Sequence, residues 1–133
     1  MRIFFKIKYN LKLRNILMEI SHPIHSVDSY NDINSIDFGD TIVFFKFGTE
    51  WCLPCKQIEQ ILMYIPDSIT YTIDVENDEF EEFLSKHRIY NIPTTIIKYR
   101  NDKTQFVGLR TADEINNMIH NLKTRFTSPP NIV

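Results

Sequence analysis

The sequence predicts an α/β chain: a central mixed β-sheet of four to five strands flanked by helices on both faces. Three observations carry that prediction. Residues 41–47, Thr-Ile-Val-Phe-Phe-Lys-Phe, form a near-continuous run of β-formers, as a strand buried on both faces requires. Apolar positions then recur at helical spacing over 52–64 and again through Ile115, Met118, Ile119 and Leu122, so that strand and helix patterns alternate. Two late β-patterned stretches, 94–99 and 104–107, are divided by the turn Arg100-Asn101-Asp102; such a hairpin makes the sheet mixed rather than wholly parallel.

The elements follow in order. Residues 19–27 hold a short strand broken near Pro23, and Asp28-Ser29 supplies an N-cap for a short helix to about Ile36. Gly39-Asp40 is a turn into the apolar strand. The helix over 52–64 buries Ile58, Ile61, Leu62 and Ile65, with Lys56, Gln57, Glu59 and Gln60 between them, and Pro66-Asp67 ends it. Residues 68–75 form a further strand. Residues 78–87 form an acidic amphipathic helix with Phe80, Phe83 and Leu84 on one side. Thr111-Ala112-Asp113-Glu114 reads as a capping box that starts the last helix, and Ser128-Pro129-Pro130 ends the order.

Length and charge bound the reading. A chain of 133 residues has room for one domain with short tails. The divisions expected are a basic extension over 1–18, a domain over 19–126 and a flexible tail over 127–133. Arg2, Lys6, Lys8, Lys12 and Arg14 give the extension +5 with no acid, which leaves −7 on the remainder of a chain whose total is −2. That balance gives no support for a nucleic-acid partner. The basic residues interrupt the apolar ones, so no secretory signal is expected, and no stretch approaches the roughly 20 apolar residues of a membrane span. Met18 offers a second start. The expected location is cytoplasmic, with organelle targeting by the extension as the alternative.

The only two cysteines, Cys52 and Cys55, are three apart in Trp51-Cys52-Leu53-Pro54-Cys55-Lys56. A secreted, disulfide-stapled domain would carry more of them at wider spacing, so the pair reads as redox-active or metal-binding. A thiol is a useful nucleophile only as thiolate, and a helix N-terminus stabilises negative charge. Cys52, between a buried strand and a helix start, meets that requirement. Cys55 lies one turn later, close enough to form a disulfide with it. Pro54 falls in the first turn, where a missing N–H costs nothing. The competing reading is a zinc site completed by His22 and His25, a His-x-x-His pair that would have to converge on the thiols.

The segment 43–56, Val-Phe-Phe-Lys-Phe-Gly-Thr-Glu-Trp-Cys-Leu-Pro-Cys-Lys, resembles the active-site strand and helix start of the thioredoxin family. Ile89-Tyr90-Asn91-Ile92-Pro93-Thr94 is similar to that family's second signature, in which the proline follows a cis peptide bond facing the cysteines. Val107-Gly108 resembles its late hairpin, and Ile73-Asp74 the end of its middle strand. The resemblance covers roughly 19–125 and implies the thioredoxin fold. It further implies Cys52 as attacking thiol, Cys55 as resolving thiol, Trp51 as an apolar lip beside the disulfide, and Ile92 and Pro93 as supports for an extended substrate backbone.

Four departures from the family pattern bear on tuning. Leu53-Pro54 replaces Gly-Pro: Pro54 argues for a reducing couple, while Leu53 adds bulk at the docking surface. Lys46 stands where many members bury an acid, and Thr70 where a lysine often partners it. A cation there would favour the Cys55 thiolate, although an unpaired buried lysine would tend to lose its proton. The alternative for Lys46 is snorkelling to a sheet edge. Gln60 replaces a kinking proline, and the segment from Cys55 to Asp74 is several residues short.

The expected activity is therefore reduction of protein disulfides by a monomer through the Cys52–Cys55 couple, with no metal and no cofactor. Electrons would come from a thioredoxin reductase or glutathione. A glutaredoxin would show Gly-Gly after the Pro93 strand, but here Gly108 is followed by Leu109. The alternative of a different class is a thioredoxin-like binding or structural module with little redox activity.

Overall fold

The computed structural model describes residues 22–36 and 38–127. The basic extension, the possible start at Met18, residues 19–21 of the first predicted strand and residues 128–133 of the tail lie outside the described residues. The chain runs β1 (Ile24–Ser26), α1 (Tyr30–Ser35), β2 (Ile42–Gly48), α2 (Leu53–Leu62) and β3 (Ser68–Asp74). A 3₁₀ turn (Asp78–Phe80) then leads into α3 (Glu81–Lys86), followed by β4 (Thr94–Tyr99), β5 (Asp102–Val107) and α4 (Ala112–Thr127). The strands form one sheet in the order β1-β3-β2-β4-β5, with β1, β3 and β2 parallel and β4 and β5 antiparallel to their neighbours.

Central position explains the composition of β2. Every residue of Ile42–Gly48 is buried, because β3 and β4 cover its edges and helices cover both faces. Side chains alternate between the faces. Ile42 and Phe44 enter a core with Ile58 and Leu62 of α2, Ile97 of β4, and Ile115 and Leu122 of α4. Val43, Phe45 and Phe47 enter a second core with Ile33 of α1, Ile73 of β3, Phe80, and Phe83 of α3. Phe44 and Phe47 are wholly buried, a gain of about 1.5–3 kcal/mol for each ring. Lys46 is the one charged residue in this strand, on the same face as Ile42 and Phe44 and at the end where α2 begins.

Caps set the helix ends. The Ser29 hydroxyl accepts the Asp32 N–H at 3.3 Å to start α1. At α4, Thr111 Oγ1 accepts the Glu114 N–H at 3.1 Å while Glu114 Oε1 accepts the Thr111 N–H at 3.2 Å, the reciprocal pair of a capping box. The helix expected over 78–87 is divided. The Asn77 side chain accepts the Glu79 N–H at 3.1 Å and tightens the first turn to 3₁₀, so regular α-helix begins only at Glu81. Thr127, expected in the tail, closes α4.

Candidate active site

Beyond Gly48, the chain turns through Thr49, whose carbonyl accepts the Cys52 N–H at 3.4 Å, and Cys52 becomes the N-cap of α2. Its Sγ accepts the Cys55 N–H at 3.3 Å, one of the helix-terminal donors that have no intrahelical partner. Pro54 occupies the first turn. Cys52 and Cys55 are joined as a disulfide, with Cα atoms 5.3 Å apart. The two cysteines differ in exposure: Cys55 is 0% exposed and Cys52 5%. On reduction, a thiolate at Cys52 would meet backbone N–H groups and the positive end of a ten-residue helix.

The sheet register brings the other predicted residues to the same end. Phe47 pairs with Thr94, Gly48 with Asp74, and Thr94 with Val107. Ile92 and Pro93, joined by a cis peptide bond, therefore lead into β4 beside the strand end from which the cysteines depart. The Pro93 carbonyl accepts the Gly108 N–H at 2.8 Å, fastening this turn to the end of β5, and Gly108 has φ 80°, a conformation costly for any other residue. Pro93 is buried and Ile92 half-buried. Trp51, Leu53, Tyr90 and Leu109 are exposed around this end, with Trp51 most open after Tyr90 at 71%. The Trp51 Nε1–H donates to Glu76 Oε1 at 2.7 Å. Sequence alone does not show Glu76 as the partner of Trp51.

Lys46 lies beneath the disulfide. It does not snorkel to a sheet edge, because β2 is the central strand and the residue is buried. Its Nζ donates to Glu59 Oε1 of α2, which also accepts the Thr72 hydroxyl at 3.3 Å. Thr72 is the β3 register partner of Lys46, whereas Thr70 is buried two residues away with an Oγ1 that lacks a hydrogen-bond partner. The buried cation is thus paired, by a residue that periodicity alone marks only as one of the polar positions of α2. A usable signal existed: Glu59 follows Cys55 by four residues and shares its helix face. A cleft of about 620 Å³ opens behind the pair, lined by Lys46, Glu59, Thr72, Gly48, Lys56 and Asp74 among others.

The two histidines do not converge on the cysteines. The His25 ring lies against Tyr71, centroids 5.4 Å apart, and His22 is tied through its N–H to the Met63 carbonyl at the far end of α2. Among the described residues, no group of three or more His, Cys, Asp or Glu is arranged to hold a metal ion, and no helix is long and apolar enough to cross a membrane.

Comparison with known proteins agrees with this arrangement. The family model described as Thioredoxin matches residues 24–121. The putative thioredoxin H10 of Arabidopsis thaliana is 28% identical over 69% of this chain and 62% of its own. The mitochondrial thioredoxin-2 of Schizosaccharomyces pombe is 26% identical over 59% of this chain and 60% of its own. The chain thus spans about three fifths of each of these two relatives. Among solved structures, oxidised thioredoxin O2 from Arabidopsis thaliana shares the fold with a TM-score of 0.61 at 22% identity, over 77% of this chain and 98% of that one. With a family model spanning both the cysteine pair and the cis-proline turn, this chain belongs to the thioredoxin family.

Proposed function

We propose that the chain is a thiol–disulfide oxidoreductase that reduces protein disulfides. The observation that supports this most directly is the Cys52–Cys55 disulfide at the start of α2, with Cys55 wholly buried and Cys52 slightly exposed. The Cys52 thiolate attacks a substrate disulfide, forming a mixed disulfide and releasing one substrate thiolate, which takes up a proton. Cys55, as thiolate, then attacks Cys52 Sγ; the Cys52–Cys55 bond forms and the second substrate sulfur leaves. Two electrons pass to the substrate, and the chain ends oxidised.

Trp51 acts as an apolar lip over the disulfide, and Ile92 and Pro93 support the substrate backbone. Leu53 and Pro54 tune docking and the ease of reduction. A thioredoxin reductase or glutathione returns the electrons, the protein works as a cytoplasmic monomer, and neither metal nor organic cofactor takes part in the exchange.

Insulin reduction driven by dithiothreitol tests the reading. The wild-type chain should accelerate precipitation of the insulin B chain, and Cys52→Ser should reduce the rate to that of dithiothreitol alone. A Cys52→Ser variant as fast as wild type would overturn it, and a wild-type chain without turnover would favour a binding or structural module.

A further inference from the structure

The sulfur that must act second shares one side of Gly48 with a buried ammonium. A Cβ built on Gly48 would have as its nearest neighbours Cys55 Sγ at 2.6 Å, Cys55 Cβ at 3.0 Å and Lys46 Nζ at 3.5 Å. The ammonium and the resolving sulfur thus both lie against the side of Gly48 that carries no side chain, and no Glu59 atom comes nearer to that point. The Lys46 side chain is 4% exposed and that of Glu59 is 23% exposed. The ion pair is therefore oriented: the cation lies in the sealed interior with Cys55, and the carboxylate lies toward the cleft. Other charged residues lining that cleft are Lys56 of α2, Glu50 of the β2–α2 loop, Asp74 at the end of β3 and Asp28 before α1. Of these, Lys56, Glu50, Asp74 and Asp28 are exposed, so water screens them, while a charge in the interior acts over the same distance through a far lower effective dielectric. From β4, the residue opposite Lys46 is Thr95, buried and uncharged.

We propose that Lys46 and Glu59 work as one unit on Cys55: the Lys46 ammonium stabilises the resolving thiolate, and Glu59 is the positioning residue that holds the ammonium there. The inference rests on the exchange reaction proposed above and concerns only its second step. When Cys55 is deprotonated, its proton ending in the solvent, the negative charge forms beside the Lys46 ammonium. The thiolate then gives its electron pair to Cys52 Sγ, and the substrate sulfur leaves with the electrons of the broken bond. Cys52, which has the helix N-terminus, does not depend on the pair.

Stopped-flow reaction of the reduced chain with 5,5′-dithiobis(2-nitrobenzoate) separates the two steps. Attack by Cys52 releases one thionitrobenzoate, and attack by Cys55 on the resulting mixed disulfide releases a second. In Lys46→Met, and in Lys46→Met combined with Glu59→Gln, the pH midpoint of the second phase should rise by about one unit, a second phase on the order of tenfold slower below the midpoint. The first phase should keep its midpoint, and Lys46→Arg should restore the second. The double variant leaves no unpaired buried charge, so it decides the matter even if Lys46→Met alone folds poorly. A second phase in the double variant that coincides with wild type, or a first phase that moves as far as the second, overturns the inference. Wild-type protein that releases fewer than two thionitrobenzoates would instead overturn the exchange reading.

Discussion

Gly48 and Cys55 are packed so closely that the space between the end of β2 and the resolving sulfur has no room for a methyl group. A Cβ at 48 would approach Sγ to 2.6 Å, a distance that real Cβ atoms essentially never show. The strand end and the first turn of α2 therefore fix each other's position. Gly48→Ala should force them apart at a cost of about 1–3 kcal/mol. Urea unfolding of the oxidised protein, compared with wild type, measures that loss. Slower closure of the disulfide, read by alkylation after a pulse of oxidant, should accompany it.

Trp51 is held by one hydrogen bond, from its indole N–H to Glu76. Glu76→Ala frees the ring without removing it. The expected result is a KM for insulin raised roughly two- to fivefold, the effect of losing about 0.5–1 kcal/mol from one hydrogen bond, with the reaction of a small aromatic disulfide hardly changed. Because Trp51 is the only tryptophan, its fluorescence anisotropy reports the released ring directly.

His87 stacks on Phe83, with ring centroids 3.9 Å apart, and its pKa lies below the ordinary 6.5, chiefly because partial burial disfavours the charged ring. The unfolded chain therefore binds this proton at a higher pH than the folded one. Stability from this site is present above 6.5 and is lost as the pH falls through that value toward the lower folded one. The urea midpoint should decline over this window, and His87→Phe should flatten that part of the decline. An unchanged slope in the variant would count against the assignment.

Thr111 and Glu114 close the first turn of α4 through the capping box, with no hydrogen bond from either to the cysteines. Thr111→Ala should cost about 0.5–2 kcal/mol in thermal or urea unfolding. The rates of both thionitrobenzoate phases should be unchanged, since α4 contributes no residue to the site.

Much of this was legible in the sequence, for physical reasons that differ by residue. The β2 run was readable because a strand covered on both faces has no polar side, and its one exception, Lys46, marked the site. The Cys52–Cys55 spacing was readable because a helix N-cap and its first turn require it, and Thr111 to Glu114 because a capping box is local. Glu59 was missed because its role depends on which strand residue α2 lies over. Within the helix alone it is one of several polar residues between apolar ones. Glu76 was missed likewise, since its contact with Trp51 joins two loops that meet only through the pairing of Gly48 with Asp74. The division of the third helix followed from an Asn77 side chain competing for a backbone donor, which periodicity does not register.

The unequal exposure of the two cysteines also bears on damage. With the exposures of the disulfide form carried over to the dithiol, a peroxide meets Cys52, 5% exposed, before Cys55, which is wholly buried. A sulfenic acid formed at Cys52 would have a thiol one helical turn away, and condensation of the two expels water and restores the disulfide before further oxidation to the irreversible acids. Enclosing one cysteine therefore keeps a repair partner beside the one that reacts.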